Sequence, residues 1–366
     1  MGNVNLFASR PVIIAIQVGL KRGDDAMNHL SVGQILCCPQ CKADLKTSDD
    51  KYFCASCGVD FPVIAGIPDF RFGLPDKQKQ KEMSEVSQLL SIYNNATFEE
   101  LLTAHIKQTT NADLIPVEMQ YEMGWIERGE KELFKINNLL NRYGSTVAFP
   151  QNIEGEIYLD VGCGKGAMLM TMAPNFSLAV GVDFSLVYLV LAKKLAEQTG
   201  AGNTFLFAAR NEYMPFKNEA FHFITALDVI EHIDDQPKGV NEDFRILAKD
   251  GYLFINSPNR YSLFAPEDHV RLWWIGFLPR AWMQPYIRMV SGRSYKGVRL
   301  LSYFEIKNMI TRHSDRIVEA GVMFDPDKTI LTTKEKYLKT MPIALFILNH
   351  LFKFFVPSFH FLAQKR

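Results

Sequence analysis

The sequence has 366 residues, 48% of them hydrophobic and 22% charged, a composition typical of a chain that buries a substantial core. Its 40 basic and 40 acidic residues give a formal net charge of zero, which argues against nucleic-acid binding over a generally basic surface. Five of the six cysteines lie between residues 37 and 57, and the sequence shows no clear secretory signal. This clustering indicates a metal site in a reducing, cytoplasmic compartment and argues against disulfide bonds.

Residues 1–30 carry no convincing structural pattern, and we expect them to be an N-terminal extension. The apolar run PVIIAIQVGL, residues 11–20, is too short to span a membrane. The charged stretch KRGDD follows it where a signal peptide would have a small-residue cleavage site. We therefore expect that the natural protein starts at Met27 and that residues 1–26 are an addition.

Residues 31–74 contain two Cys-x-x-Cys pairs, CPQC and CASC. Each pair brings two thiolates to one ion from a tight turn, and two pairs complete the tetrahedral site that structural zinc prefers. Gly58, directly after the second pair, suits a positive φ angle, and Cys37 is expected to take no part. The predicted zinc ligands are Cys38, Cys41, Cys54 and Cys57.

The stretch from ILCCPQC to FPVIAGIPDF also resembles the short zinc-ribbon family. Members of that family occur alone as activators of methyltransferases, or fused ahead of them. The resemblance implies that residues 31–74 form a small zinc ribbon.

Residues 75–150 begin with the charged stretch LPDKQKQKE and continue with helix-like sequence. Apolar residues recur there at helical spacing, at Leu133, Ile136, Leu139 and Leu140. We expect a helical linker or cap.

From residue 151 to residue 265, short apolar strands alternate with helical stretches. The strands read EIYLDV, LAVGVD, TFLFAA, FHFITAL and GYLFINS. This alternation is typical of an α/β fold with a parallel sheet and crossover helices. We expect residues 151–366 to form a Rossmann-like domain that includes a C-terminal substrate or lid region.

A glycine-rich turn, GCGKG, directly follows the strand EIYLDV. Its spacing fits a dinucleotide-binding turn, so the glycines alone do not identify the ligand. Asp160, two residues before the first glycine, would repel a pyrophosphate. S-adenosylmethionine instead carries an ammonium and a sulfonium, which suit a carboxylate. We therefore predict that Asp160, Gly162, Gly164 and Gly166 bind this cofactor.

Asp183 ends the next strand, LAVGVD. A carboxylate at that position can accept hydrogen bonds from both ribose hydroxyls of a nucleoside. The alternative is a helix N-cap, a role for which Ser185 competes.

Four stretches, YLDVGCGKGAMLM, AVGVDFS, MPFKNEAFHFITALDVIEHI and LAKDGYLFINSPNR, together resemble the class I S-adenosylmethionine-dependent methyltransferases over residues 156–260. The resemblance implies that Asp160 orients the methionine end of the cofactor and that Asp183 binds its ribose. Many members have an aspartate after the third strand that contacts the adenine amino group. Here Arg210 stands near that place and cannot accept such a bond. Asn211 or a backbone carbonyl is predicted to substitute.

The strand FHFITAL ends at Asp228, at the edge of the sheet where ligands of α/β folds bind. A helix starting there would place Asp228, Glu231 and His232 on roughly one face, and His269 follows in a later loop. These four are the predicted catalytic residues.

The spacing of these four residues resembles the ubiquinone-pathway O-methyltransferases and the small-RNA 3′-terminal 2′-O-methyltransferases. Matching residues bind a metal in some members of both groups. The resemblance implies that Mg²⁺ or Mn²⁺ lowers the pKa of a substrate hydroxyl. A general acid/base role, or a purely structural one, remains open.

The C-terminal region is rich in aromatic residues. The stretch PEDHVRLWWIGFLPRAWMQPYI is expected to form part of a substrate lid, or else to pack in the core. PIALFILNHLFKFFV, residues 342–356, falls short of a spanning helix and is expected to cover the sheet, with membrane-surface contact as the alternative. PSFHFLAQKR predicts a final strand.

These patterns favour an S-adenosylmethionine-dependent methyltransferase that acts on an oxygen of a small molecule, lipid or glycan. One alternative is an RNA methyltransferase whose zinc ribbon binds RNA, against which the neutral charge and the DVIEHI stretch both argue. Another is a non-catalytic partner-binding protein, against which the intact Asp160 and Asp183 argue.

Overall fold

The computed structural model describes residues 32–48, 50–144, 153–320 and 353–366. The expectations for residues 1–30, for the start at Met27 and for nearly all of residues 342–356 lie outside these ranges. Among the described residues, no helix is long and apolar enough to cross a bilayer.

The strands and helices follow the predicted order along the chain. The strands are β1 Lys46–Thr47, β2 Lys51–Cys54, β3 Val59–Ile64, β4 Ile67–Pro68, β5 Ile153–Val161, β6 Phe176–Asp183, β7 Thr204–Ala208, β8 Phe221–Leu227, β9 Leu247–Pro258, β10 Arg316–Ala320 and β11 Ser358–Gln364. The α-helices of residues 50–320 are α1 Asp76–Ile92, α2 Phe98–Thr109, α3 Ile115–Ile126, α4 Arg128–Tyr143, α5 Ala167–Met172, α6 Leu186–Thr199, α7 Gln236–Ile246, α8 Arg280–Ser291 and α9 Tyr303–Ile310.

The main sheet has seven strands in the order β10-β11-β9-β8-β5-β6-β7. The five strands from β9 to β7 are parallel to their neighbours, and β11 and β10 are antiparallel. The predicted α/β fold and final strand are therefore confirmed. The chain runs from β5 outward through β6 and β7, then returns to β8 on the other side of β5. This reversal makes the carboxyl ends of β5 and β8 the place where a ligand crevice is expected.

The core between the sheet and its helices is continuous and apolar. Tyr158 of β5 stacks on Phe176 of β6, with ring centroids 5.2 Å apart. Helix α4 has the predicted helical pattern, and Ile136, Leu139 and Leu140 are fully buried. It ends at Gly144, whose φ of 73° closes the last turn.

The cysteine-rich segment forms a separate four-stranded antiparallel sheet, in the order β1-β2-β3-β4. It packs directly against the main sheet. The Phe70 N–H donates to the Ala208 carbonyl at 2.8 Å, and the Cys37 N–H donates to the Pro215 carbonyl at 2.9 Å. The cysteine-rich segment is therefore hydrogen-bonded to the larger part of the chain at Cys37 and Phe70, which flank its four strands. The domain boundaries at residues 74 and 150 stay predictions.

Candidate active site

A cavity of about 800 Å³ opens beyond the carboxyl ends of β5, β6 and β8. It lies at the crevice that the strand order predicts. Most of the predicted site residues line it, namely Asp160, Gly162, Gly164, Asp183, Asn211, Asp228, His232 and His269. Gly166 and Glu231 are buried and do not line the cavity.

The glycine turn brings backbone close to neighbouring side chains. Gly162 has a φ of 65°, and a Cβ at this position would lie 2.3 Å from Cγ2 of Val229. A side chain at this position would have to displace the Val229 side chain, and the positive φ also favours glycine. Gly166, with a φ of 91°, occupies the N-cap position of α5. The glycines thus serve backbone geometry, as the sequence predicts.

Asp160 lies at the end of β5 and is almost completely buried. The Thr225 hydroxyl donates to its Oδ1 at 2.7 Å, while Oδ2 has no hydrogen-bond partner among the described residues. Burial raises the pKa of this carboxyl to about 7. A buried carboxylate oxygen without a partner is costly, so this end of the cavity favours a ligand that brings a donor or a positive charge.

Asp183 organises the loop at the end of β6. The Gly164 N–H donates to Oδ2 and the Ser185 N–H donates to Oδ1, each at 2.8 Å. Ser185 takes the N-cap role in α6, because its Oγ accepts from the Tyr188 N–H at 3.3 Å. Each carboxylate oxygen of Asp183 keeps a lone pair for a ligand hydroxyl.

Asn211, which was predicted to contact the adenine amino group, does not direct its side chain into the cavity as expected. The Asn211 amide nitrogen donates to the buried Asp243 at 2.6 Å. Its amide oxygen lies 3.2 Å from where a Cβ at Gly239 would stand, so the side chain is directed at α7. Phe184 instead lines the cavity and is 39% exposed, which offers a flat apolar surface that sequence reasoning missed.

Three of the four predicted catalytic residues come together. One ligand atom from each of Glu231, His232 and His269 lies within 4.8 Å of the other two. The two imidazole Nε2 atoms are 3.2 Å apart. Both carboxylate oxygens of Glu231 are buried without a partner, and its pKa is raised well above the usual value by burial and by Asp228.

The hydrogen-bond partners of the two imidazoles determine what they present to each other. Nδ1 of His269 contacts the Glu267 carboxylate, and Nδ1 of His232 lies 3.4 Å from the Gly297 carbonyl. These acceptors favour a proton on both Nδ1 atoms, which turns two Nε2 lone pairs towards each other. Two nitrogens that bind one ion at about 2.1 Å are separated by about 3.0–3.4 Å. The arrangement therefore suits a cation between the two rings.

Asp228 differs from the predicted geometry. The segment after β8 is a single 3₁₀ turn, Ile230–His232, and α7 begins only at Gln236, where Asp235 accepts from the Lys238 N–H. Asp228 itself has a φ of 52° and pairs with Arg128. The predicted helical face does not form, because a 3₁₀ turn follows β8, and Asp228 is not part of the group whose ligand atoms lie within 4.8 Å of one another.

Two charged residues of the site were missed in the sequence. Glu267 is buried, and its Oε2 accepts from the N–H groups of His269 and Val270 at 2.9 Å each. The motif PEDH carries this carboxylate two residues before the histidine, which was the available signal. Arg128 begins α4, lines the cavity and lies 4.5 Å from the Trp125 ring. Nothing local in the sequence links Arg128 to Asp228, 100 residues later.

The four predicted zinc ligands also converge. The sulfur atoms of Cys38 and Cys57 are 3.9 Å apart, and those of Cys41 and Cys54 are 3.5 Å apart. Four thiolates at about 2.3 Å from a tetrahedral ion are separated by about 3.8 Å. Gly58 has the predicted positive φ, 66°. The donor set and its spacing therefore fit a zinc ion.

Comparison with known proteins found similarity to methyltransferases in this part of the chain. Residues 135–298 match the sequence model of a methyltransferase domain family. The ubiquinone biosynthesis O-methyltransferase of Vibrio atlanticus is 26% identical over 137 residues, which are 37% of this chain and 57% of that protein. Its counterpart from Pasteurella multocida is 28% identical over 151 residues, or 37% of this chain and 60% of that protein. The chain thus matches less than two thirds of these relatives' length.

Solved structures resemble the chain at low identity. The YcgJ protein of Bacillus subtilis is 21% identical with a TM-score of 0.39, and the match covers 62% of this chain and 97% of that one. Phosphoethanolamine N-methyltransferase 2 of Haemonchus contortus is 17% identical with a TM-score of 0.40, covering 63% of this chain and 51% of that one.

Proposed function

We propose that this protein is an S-adenosylmethionine-dependent O-methyltransferase with a structural zinc site. The observation that carries the proposal is the unpartnered Oδ2 of Asp160 beside the glycine turn. A dinucleotide would bring a pyrophosphate to this turn, and a carboxylate repels it. The ammonium of S-adenosylmethionine would supply the missing partner.

The remaining cofactor contacts follow from the order of groups along the cavity. Asp183 holds the ribose hydroxyls with the lone pairs that its two backbone donors leave free. Phe184, the next residue, packs against the adenine ring. The side-chain role predicted for Asn211 is replaced in this proposal by backbone contacts of residues 210–212, since its amide is bonded to Asp243.

Methyl transfer from a sulfonium to an oxygen is an in-line displacement, so acceptor, methyl carbon and sulfur must be aligned. The acceptor hydroxyl gives up its proton to a base or to solvent, its oxygen bonds to the methyl carbon as the carbon–sulfur bond breaks, and S-adenosylhomocysteine leaves with that electron pair. His232 lies on the cavity wall, and Glu231 and His269 adjoin it. These are the residues that we propose to activate the hydroxyl. The names of the relatives support oxygen as the acceptor atom.

A divalent cation is the form of this activation that the donor set supports best. Glu231, His232 and His269 would hold the ion, and it would lower the pKa of the acceptor hydroxyl. Two imidazoles and one carboxylate suit Mn²⁺ better than Mg²⁺. In this proposal Glu267 and the Gly297 carbonyl accept from the Nδ1 atoms of His269 and His232, and so keep both Nε2 lone pairs directed at the ion. Asp228, paired with Arg128, shapes the cavity wall.

Zinc held by the four cysteines would stabilise residues 31–74, and residues 75–150 would cover the cavity as a helical cap. The thiolate set fits a reducing compartment such as the cytoplasm. The acceptor classes remain a small molecule, a lipid or a glycan.

The test is to incubate the protein with S-adenosylmethionine and separate pools of quinols, sugar-lipids and RNA, and to measure S-adenosylhomocysteine. Turnover with a hydroxyl-bearing pool is expected, and it should depend on Glu231 and His232. Adding a chelator that spares the ribbon zinc abolishes turnover in the cation version and leaves it unchanged in the general-base version. Methylation of nitrogen or of RNA alone would contradict the proposal.

A further inference from the structure

Helix α8 leaves an unusual number of large apolar side chains in solvent. Trp282 is 68% exposed and Met289 is 77% exposed, and Tyr286 lies between them on the same face of the helix. The loop before α8 adds Trp273, Trp274 and Phe277, which are 51%, 58% and 46% exposed. Soluble surfaces rarely collect such side chains, so the patch indicates an interaction site.

The exposure does not arise from a poorly packed segment. The same region has a small core of its own, formed by Val270, Ile275, Met283, Ile287, Tyr295 and Leu300. The Arg260 guanidinium also fixes the loop by donating to the carbonyls of Gly276 and Leu278, at 2.8 and 3.1 Å. The chain thus buries one face of α8 and holds the other outward.

Charge distinguishes this segment from the rest of the protein. Residues 269–304 contain six arginines and lysines and no acidic residue, although the whole chain has zero net charge. Two of the six pair with acids just outside the segment, Arg271 with Asp268 and Arg280 with Glu305. The others are Arg288, Arg293, Lys296 and Arg299. The patch is therefore apolar and cationic.

A shallow apolar hollow completes the surface. Leu278, Trp282, Pro285, Tyr286 and Met289 line a cavity of about 440 Å³ on the outer side of α8. Aromatic residues with a polar edge prefer the boundary between lipid headgroups and acyl chains, and basic residues are attracted to anionic headgroups. An acyl chain suits a hollow with this lining.

We infer that the exposed apolar side chains of residues 273–290, with the basic side chains between residues 271 and 299, dock the protein on an anionic lipid bilayer. We call this the docking surface. The protein lies on the bilayer through one face of α8 and does not cross it. In the sequence analysis, membrane-surface contact was only the alternative to packing on the sheet, and it concerned residues 342–356.

The docking surface is joined to the active site at both ends. His269 precedes it by two residues, and its ring centroid lies 6.3 Å from that of Tyr295. After α8, the Arg299 N–H donates to the Glu231 carbonyl at 2.7 Å. A bilayer bound at this face lies next to the segment that carries the catalytic histidine pair.

Vesicle flotation of the full chain, without cofactor, tests the inference separately from the proposed function. The probes are phosphatidylcholine vesicles with and without phosphatidylglycerol. We expect binding to the mixed vesicles that weakens as salt rises. The double substitution Trp282→Ser with Met289→Ser should lower the partition coefficient about tenfold or more. Arg288→Glu with Arg293→Glu should remove the preference for phosphatidylglycerol.

The matched control is Ile92→Ser, which removes an apolar side chain of 40% exposure from α1 and should bind vesicles like the unaltered protein. None of the four substituted surface residues lines the main cavity, so S-adenosylmethionine binding should be retained and reports that the variants fold. Equal partitioning of the Trp282/Met289 variant and the unaltered protein would overturn the inference. A second result would also overturn it: the unaltered protein does not bind vesicles but self-associates, and the Trp282/Met289 variant loses that self-association. The partner of this surface would then be a second copy of the chain.

Discussion

Among the described residues, two groups of side chains could hold a metal ion, and they are built in opposite ways. The four cysteines come from two short turns that are close in sequence, and their sulfur atoms already lie at 3.5 and 3.9 Å from their partners. Glu231 and His232 come from one turn, whereas His269 arrives from a loop 37 residues later. The first group needs only local geometry, and the second needs the whole fold.

This difference determines what each group can do. Four thiolates close their site and leave a structural role. The Glu231, His232 and His269 group has three donors and faces a cavity, which leaves room for an acceptor oxygen. We therefore expect the cysteine group to govern stability and the histidine group to govern turnover.

The largest effect should come from breaking the cysteine group. Cys41→Ser and Cys54→Ser each remove one thiolate, so zinc content should fall and the melting temperature should drop, because metal binding is coupled to folding. Cys37→Ser is the control, matched to Cys54→Ser, since Cys37 is buried like Cys54 but lies outside the group. It should keep about one zinc per chain. Metal analysis and thermal unfolding measure both quantities. Full zinc content with unchanged melting in Cys41→Ser would contradict the structural role.

Breaking the histidine group should leave the fold intact and lower the rate. Glu231→Gln and His232→Ala should each reduce turnover by about 10²–10⁴-fold, the usual contribution of acid–base activation. S-adenosylmethionine affinity should change little. His313→Ala, which alters a half-buried imidazole that contacts Asn241 outside the cavity, is the control. If Glu231→Gln and His232→Ala both keep full turnover on the acceptor, the group is only scaffold.

The buried acid at the glycine turn predicts a pH dependence of cofactor binding. The pKa of Asp160 is raised from 3.8 to about 7, so the free protein holds it protonated below that pH. An ammonium needs the ionised form, and affinity should therefore fall about tenfold per pH unit below 7. The stability of the free protein changes in the opposite direction. Because the folded protein holds this proton more tightly than the unfolded chain does, the free energy of unfolding falls as pH rises from 3.8 to about 7.

Calorimetry across this pH range should show that S-adenosylmethionine affinity of the unaltered protein falls below pH 7. In Asp160→Asn the affinity should be weaker and should depend less on pH. A profile that is flat in both proteins would mean that the carboxylate does not meet the ammonium.

Arg71 shows that the two regions are not wholly independent. It is buried, pairs with Asp69 of the cysteine-rich segment at 2.8 Å, and donates to the Phe184 carbonyl of the loop at the end of β6 at 2.5 Å. Arg71→Lys keeps the charge but loses the planar fork. Losing one such bond costs about 0.5–1.5 kcal/mol, so S-adenosylmethionine affinity should fall about 2- to 12-fold with zinc retained. Lys81→Arg, on the exposed side of α1, is the control. Unchanged S-adenosylmethionine affinity in Arg71→Lys would show that the cysteine-rich segment does not influence cofactor binding through Arg71.

The sequence predicted what depends on local spacing. The strands β5 to β9, the cysteine group and the positive φ of Gly58 follow from periodicity and turn chemistry. The acid positions Asp160 and Asp183 were predicted because each ends a parallel strand, and such ends meet at one edge of the sheet.

What the sequence did not predict depends on contacts between distant segments. The pairing of Arg128 with Asp228 joins residues 100 positions apart, and no local pattern records it. The direction of the Asn211 side chain is determined by Asp243 on α7. The helix expected at Asp228 does not form: Asp228 has a positive φ, a 3₁₀ turn follows it, and α7 begins only after its N-cap, Asp235.

The most direct test of the account is calorimetric titration of S-adenosylmethionine and of NAD into the unaltered protein and into Asp183→Ala. We predict that S-adenosylmethionine binds and that NAD does not. Removing the ribose acceptor costs roughly 1.5–3 kcal/mol, so Asp183→Ala should bind about 10- to 150-fold more weakly. Binding of NAD without S-adenosylmethionine, or equal S-adenosylmethionine affinity in both proteins, would contradict it.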